Sequence, residues 1–556
     1  MSLEFDYIIV GAGTAGCILA ARLSEDPSVE VLLVEAGGTD RLPIVSMPGA
    51  LPFVYQNRHI QWGYRSGPEP ELHGKVIDEK AGKILGGSSS INAMIFNRGN
   101  PMDYDGWAAD GLTDWGFAQC LPYFRKMETF EDGADPWRGG AGPLRISRAA
   151  GEHKLYEAFL HAGVEAGQEV TSDHNGYRQE GMHIAQSFIA DGVRWSSSKA
   201  YLRPAMKRPN LHVRTRLTVS RVLVENSRAV GIEAMTWSGA ERVRAQREVI
   251  VSAGAINSPR LLMLSGIGDP DELAPHGIPV VAEVRDVGKN LQNHPGVDIQ
   301  FATDHEHSLT SQIGPVGRAK LAADWLARRR GLGTTNFFEA GAFLRVGDDV
   351  DFPNLQYEFL PLTRQLRGNK LVPVPGFQFW IDLSRPESRG CVRLRSADPT
   401  AAPIIVFATY TNRADLDDMV RAVQQARDLA SQPSLGRYVR VELNPGPDVR
   451  SDAEIAAWIR TATGTSYHPA GTCRMGVDDA SVVDGEARVR AVPGLRVVDA
   501  SIMPKVITGN LNAPVMMMAE KIADMIKSVR PLPESDAGYY RQLAAEPVER
   551  EAGSPD

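Results

Sequence analysis

The chain is poor in the residues that a zinc site, a disulfide scaffold, a nucleic-acid surface or a membrane span requires. Its 556 residues include four cysteines, Cys17, Cys120, Cys391 and Cys473. None stands in a C-x-x-C pair, which excludes the common structural zinc patterns and predicts a reducing compartment; no metal centre is expected. Lys/Arg-rich tracts are absent and the net charge is −8, which argues against a nucleic-acid partner. No apolar run reaches the length of a membrane span, and no secretory leader pattern precedes the first apolar strand. A cytoplasmic protein with at most peripheral membrane contact is expected. Against these absences stand a hydrophobic content of 43% and a charged content of 23%, the balance of a globular protein with an ample core. The length fits several domains or one large two-domain enzyme.

What is present begins at once. Phe5-Asp-Tyr-Ile-Ile-Val10 empties into Gly11-Ala-Gly13-Thr14-Ala15-Gly16, a helical pattern follows over 17–23, and a second apolar run, Val31–Val34, ends at Glu35. Each part of this strand–G-x-G-x-x-G–helix–strand order has a physical task. Gly11 permits the tight turn, Gly13 lets a pyrophosphate approach the backbone, and Gly16 lets helix and strand pack closely. The helix N-terminus offers free N–H groups and a positive dipole end to phosphates. Glu35, 19 residues past Gly16, is placed to accept from a ribose hydroxyl. A dinucleotide site is predicted, whereas an ordinary glycine turn leaves Glu35 unexplained.

A second glycine-rich loop follows: Gly82-Lys-Ile-Leu-Gly86-Gly87-Ser88-Ser89-Ser90-Ile91-Asn92-Ala93-Met94. Further on stand Gly254-Ala-Ile-Asn-Ser258-Pro259 running to Ser265-Gly266-Ile-Gly268, then Tyr467-His468-Pro469-Ala-Gly471-Thr472, and finally Val498-Asp499-Ala500-Ser501 with Gly509-Asn510-Leu-Asn512-Ala-Pro514. These separated motifs, spread over residues 5 to about 530, resemble the glucose-methanol-choline (GMC) family of flavin oxidoreductases. Arg194-Trp195-Ser196-Ser197 and Val287-Gly288-Lys289-Asn290-Leu291 resemble its bacterial choline-dehydrogenase-like and alkanol-dehydrogenase-like branch.

The resemblance implies a mixed α/β and α+β fold. A Rossmann-like FAD-binding domain (1–155, 205–300 and 465–530) would be interwoven with a substrate domain on an antiparallel sheet flanked by helices (156–204 and 301–464). It implies cofactor contacts at Gly11, Gly13, Thr14, Ala15, Gly16, Glu35, Ala36, Gly86, Gly87, Ser88, Ser89, Asn92, Ala93, Val222, Ala253, Asp499, Ala500, Asn510, Asn512 and Pro514. His468 falls where the family carries its base and Asn510 where it carries His or Asn. Neutral imidazole suits proton abstraction near neutral pH, and an amide both donates and accepts. Ile91 occupies the position at which some relatives bond the flavin through a histidine, so FAD is expected to be held without a covalent link. His294 reads as structural.

The activity so implied is FAD-dependent oxidation of a primary alcohol to the aldehyde, with oxygen or a quinone-like acceptor. Choline dehydrogenase and a peroxide-forming alcohol oxidase are alternatives, and a flavin photodecarboxylase is a remote one. A nicotinamide enzyme would have no use for the second glycine loop. Phe337, Phe338, Phe359, Leu360, Phe379 and Trp380 suggest a hydrophobic alcohol. Strands are expected over 355–360, 376–383 and 390–395, and helices over 413–431 and 452–462, the latter capped by Ser451 or Asp452. Pro514 reads as the first residue of a helix. Residues 315–331 read as an amphipathic surface helix with Leu321, Trp325 and Leu326 on one side, or else as a membrane-facing or substrate-access helix. From Pro531 the composition turns to Pro, Glu, Gly and Ala, and a tail outside the core is expected over 531–556, unless Tyr539, Tyr540 and Leu543 anchor it.

Overall fold

The computed structural model describes residues 4–236, 239–347, 350–367 and 370–541. Two seven-stranded sheets organise them. In the first, β1 (Glu4–Val10) lies between β2 (Val31–Glu35) and strand Gly239–Val251, all parallel, and the order continues outward from β2 to Leu211–Thr215. Parallel strands covered on both faces read as unbroken apolar runs rather than alternating ones, and Ile8, Ile9, Leu32 and Leu33 are completely buried. Strands Arg228–Thr236 and Thr218–Glu225 extend the other edge as an antiparallel meander.

The second sheet is antiparallel throughout, in the order Val441–Asn444, Pro295–Ala302, Gly376–Leu383, Leu355–Leu360, Ala340–Leu344 and Gly181–Ile184. Pro295–Ala302, at the end of a segment expected to belong with the first sheet, is an inner strand of the second. Strict alternation divides this sheet's faces. Val297, Ile299, Phe301, Phe377, Phe379, Ile381, Tyr357 and Phe359 point into one apolar core under the helices Lys154–Glu165 and Arg413–Ser431. The other face is polar. Helix Asp452–Ala462 begins at Ser451, whose Oγ accepts from the Glu454 N–H while the Glu454 carboxylate accepts from the Ser451 N–H, a reciprocal capping box.

Helix Asn512–Ile526 packs into the first core. It starts two residues before Pro514, which therefore sits in the third helical position, where a missing N–H still costs no intrahelical bond. Its methionines 516, 517 and 518 are wholly buried packing. Thr14 Oγ1 donates to Asn512 Oδ1 at 2.8 Å, tying this helix to the start of helix α1 (Thr14–Leu23). Helix Pro315–Arg328 buries Trp325, but Leu326 is 63% exposed, so the two do not share a face.

Residues 532–541 differ from the detached tail expected. They run along the first core, with the Ser535 N–H donating to the Ala118 carbonyl, Trp137 Nε1 to the Gly538 carbonyl, and Tyr539 bonded to Asp105. Aromatic anchoring outweighs the polar composition. Leu543 lies outside the described residues.

Candidate active site

The geometry starts from the first glycine turn. Gly11 has φ +102°, and a Cβ there would sit 2.4 Å from the Ser252 carbonyl oxygen, so only glycine makes the turn. The second loop lies directly upon it. Gly86 N–H donates to the Ala12 carbonyl at 2.7 Å, and a Cβ on Gly87 would come within 2.6 Å of Gly13 Cα. Between these loops opens a cavity of about 930 Å³ that runs on to the polar face of the second sheet.

It is lined by Gly11, Gly13, Thr14, Ala15, Glu35 and Ala36 of the first turn, by Gly87, Ser88, Asn92, Ala93, Ala253 and Ala500, and by Asn510 and His468. Helix α1 has no side-chain cap at Gly13 and no acidic residue in its first turn. Uncapped N–H groups at such a helix end suit a phosphate. Glu35 closes the turn: Oε2 accepts from the Ala12 N–H at 2.9 Å and Oε1 from the Gly37 N–H at 2.7 Å. Burial pushes its pKa up to about 7, although both N–H groups pull it down. A cleft with an uncapped helix end, a buried carboxyl at a strand end and two apposed glycine loops fits a dinucleotide.

Of the other expected contacts, Asp499 and Asn512 also line the cavity, and the rest lie behind its wall. Gly16 lies in helix α1, where a Cβ would come within 1.9 Å of the Gly11 carbonyl oxygen, and Gly86 turns at φ +86°. Ser89 Oγ donates to the Gly86 carbonyl at 2.6 Å inside the second loop. Asp499 accepts from the Gly254 N–H at 2.8 Å and from Ser258 Oγ at 2.5 Å, which fixes the start of helix Gly254–Leu264. Asn512 lines the cavity, while Pro514 lies buried behind it. Val222 lies outside the cavity: its N–H is bound to Ser265 Oγ at 2.8 Å, and its segment of chain reaches the cavity through Leu217, Thr218 and Val219 instead. Ile91 lines the cavity and packs with Val45, Val54, Ile60 and Ile84. Helix Pro315–Arg328 also supplies wall, through Arg318, Ala319, Leu321 and Ala322, so it is more than a surface helix.

Tyr467, at φ +62°, turns the chain ahead of His468, and both line the cavity. The His468 N–H donates to Asn293 Oδ1 at 2.9 Å. Its Nε2 lies 3.3 Å from Asn510 Nδ2, and its Nδ1 lies 3.0 Å from His294 Nδ1. His294, read as structural from the sequence, is thus a direct neighbour of His468; no local pattern signals a contact made 174 residues away. Burial, with His294 beside it, holds the His468 pKa well below the usual imidazole value, and burial takes His294 down to about 3. Both rings are neutral.

Of the six apolar residues expected at the substrate wall, Phe337, Phe338, Leu360 and Trp380 line the cavity. Phe359 and Phe379 point away into the apolar core, whereas Asp298, Trp380 and Glu358 stand in one row across three neighbouring strands and line the cavity. The next row brings Asp382 opposite both Gly296 and Gln356, the first small enough for the Trp380 ring to lie within 2.5 Å of where its Cβ would be. Burial raises the pKa of Glu358 to about 8, with Asp382 adding to it, that of Asp382 to about 7 and that of Asp298 to about 6. The alternation of Gln356 with Glu358 and of Gln378, Trp380 and Asp382 was the signal available in the sequence.

The N-terminal GMC oxidoreductase family model matches residues 5–296, and the C-terminal one matches residues 386–519. The chain belongs to the GMC oxidoreductase family. This GMC protein is 45% identical over 544 residues to the oxygen-dependent choline dehydrogenase 1 of Chromohalobacter salexigens, covering 97% of each chain. It is also 45% identical over 542 residues to an oxygen-dependent choline dehydrogenase of Burkholderia thailandensis, covering 97% of this chain and 96% of that one. Among solved structures, pyridoxine 4-oxidase from Mesorbium loti superposes with a TM-score of 0.85 at 30% identity, over 95% of this chain and 100% of that one. A variant of the formate oxidase of Aspergillus oryzae superposes with a TM-score of 0.89 at 27% identity, over 95% of this chain and 99% of that one. As a GMC oxidoreductase the protein is an FAD-dependent enzyme acting on CH–OH donors. No helix among the described residues is long and apolar enough to cross a membrane, and no group of three ligating side chains there could hold a metal.

Proposed function

We propose that His468 is the base and Asn510 the oxygen-binding group for oxidation of a primary alcohol to its aldehyde. The observation that carries this is the pair itself: His468 Nε2 and Asn510 Nδ2, 3.3 Å apart, lining the same cavity as the dinucleotide cradle. FAD, when bound, supplies the hydride acceptor. An alcohol oxygen seated between the pair gives its proton to Nε2 while Nδ2 donates to the oxygen. For Nε2 to be the free lone pair, His468 must hold its own proton on Nδ1. Only one proton fits between Nδ1 of His468 and Nδ1 of His294, so His294 then accepts there and keeps its proton on Nε2. His294 Nε2 has no hydrogen-bond partner within normal distance among the described residues, and the backbone of Ile507 and Ser384 lies beside the ring.

In this reading the first sheet and helix Asn512–Ile526 serve as the FAD-binding domain and the second sheet as the substrate domain, the boundary falling before Pro295 rather than at 300. FAD is bound without a covalent link, and the enzyme is cytoplasmic, passing its electrons to oxygen or to a quinone-like acceptor. Anaerobic bleaching of the yellow holoenzyme by a panel of alcohols, followed by admission of air, tests both the activity and the acceptor. A panel that leaves the flavin oxidised contradicts the activity.

A second reading concerns the substrate. The row Asp298–Trp380–Glu358 puts two carboxyls on either side of an aromatic ring, which favours an alcohol with a cationic far end, choline among them, over a hydrophobic one. Replacing Glu358 by Gln should then raise KM for choline far more than for an uncharged alcohol of similar size. Equal effects on both would favour the uncharged class.

A further inference from the structure

Asn510 is gripped on both ends of its carboxamide. Its Oδ1 accepts from Asn97 Nδ2 at 2.5 Å and from Gln356 Nε2 at 3.0 Å. Its Nδ2 faces His468 Nε2 at 3.3 Å and the Glu358 carboxyl. A carboxamide is almost symmetric in shape, so a half-turn about its last bond exchanges oxygen and nitrogen with no steric cost, and only the neighbours decide which way it points. Here the neighbours sort cleanly. The His468 ring lone pair and the Glu358 carboxyl meet the nitrogen and set the direction, and the amide NH2 groups of Asn97 and Gln356 then meet the oxygen. Gln356 and Asn97 are 2% and 1% exposed, so water does not replace either donor.

The orientation matters because the two ends of Asn510 act oppositely on a reacting alcohol. As the proton leaves, negative charge grows on the alcohol oxygen, and a donor aimed there stabilises it. The turned-over amide would present a lone pair to the same atom. We propose that Asn97 and Gln356 are positioning residues that lock the Asn510 carboxamide with its NH2 towards the alcohol oxygen. The proposal rests on the roles given above to His468 and Asn510, and it assigns a reaction-linked task to two residues outside the recognised motifs.

The test uses the FAD-loaded enzyme and anaerobic stopped-flow reduction, with flavin content and melting temperature recorded for every variant. Gln356→Glu keeps the shape, but once ionised it only accepts and so draws Asn510 Nδ2 away from the alcohol. The titratable groups beside position 356 are Glu358, two residues along the strand, and Asp382, opposite on the next one; both are present in the parent enzyme, whose own pH profile is the control. At low pH the new carboxyl is protonated and still donates, so reduction should run near the parent rate; as pH rises it should fall roughly 10- to 100-fold below the parent, with little change in KM. Asn97→Asp should behave alike and guards against a folding failure of the first variant. In an Asn510→Ala background neither change should slow reduction further, because both act through that amide. Parent-like rates at all pH values in both variants, or a slowing that persists in full on top of Asn510→Ala, would overturn the proposal. A parent-like rate in Asn510→Ala itself would overturn the role of Asn510 and the proposal with it.

Discussion

Glu35 carries two loads, and its removal separates them. Its carboxylate accepts from the Ala12 and Gly37 N–H groups at 2.9 and 2.7 Å, and the side chain also faces the cavity where a ribose would lie. Ala12 is wholly buried, so in Glu35→Ala its N–H finds no water in place of the lost acceptor. Each orphaned buried donor costs about 1–3 kcal/mol, so two of them lower apoprotein stability by about 2–6 kcal/mol. That is a large share of the stability of an ordinary domain, yet within what a large core tolerates. Loss of the ribose contact separately weakens FAD by about 1–3 kcal/mol, or roughly 5- to 150-fold in Kd. Thermal or urea unfolding of the apoprotein reads the first quantity, and quenching of flavin fluorescence on titration reads the second. An apoprotein as stable as its parent would refute the loop-tying role. An unchanged Kd for FAD would refute the ribose contact.

Two further outcomes are expected. Acid or heat precipitation should release all the flavin into the supernatant, because Ile91 has no atom that could bond it; colour retained by the washed pellet would contradict this. Glu79 is buried, with a pKa raised by burial from 4.5 to about 8, and among the described residues it accepts from Thr465 Oγ1 alone. The folded state therefore binds the extra proton between those values, and its stability declines as pH rises through that window. Glu79→Gln should flatten the fall in melting temperature between about pH 5 and pH 8, and an unaltered slope would mean that Glu79 is already ionised in the fold.

How far the sequence spoke depended on the range of the interaction. The turn at Gly11, the strand ending at Glu35 and the Ser451 capping box are decided by residues within a few turns of one another, and their patterns are readable along the chain. The pairing of His468 with His294 and the grip of Asn97 and Gln356 on Asn510 join residues far apart in sequence, four of them in loops, and only the folded chain brings them together. The substrate wall was legible in part, since Phe337, Phe338, Leu360 and Trp380 do line the cavity. Phe359 and Phe379 were weighed as composition, whereas the pleat sends them to the core and turns Glu358 and Trp380 to the cavity. For the tail, average polarity favoured detachment, and the alternative of anchoring by Tyr539, which sits edge-on to Phe117, is the one the fold takes over 532–541.

The base is the centre of the account, and flavin reduction in His468→Ala tests it most directly. The variant should keep its FAD and bind the alcohol, but reduce the flavin roughly 10²–10⁴-fold more slowly, the usual worth of general-base catalysis. Because burial holds the His468 pKa well below 6.5, the imidazole is already neutral across the working range, and no ionisation of this ring should appear in the parent rate above that pH. A deuterated α-carbon should slow reduction in parent and variant alike, since hydride transfer remains in the step. Reduction of His468→Ala at the parent rate would contradict the account and assign the proton to another group.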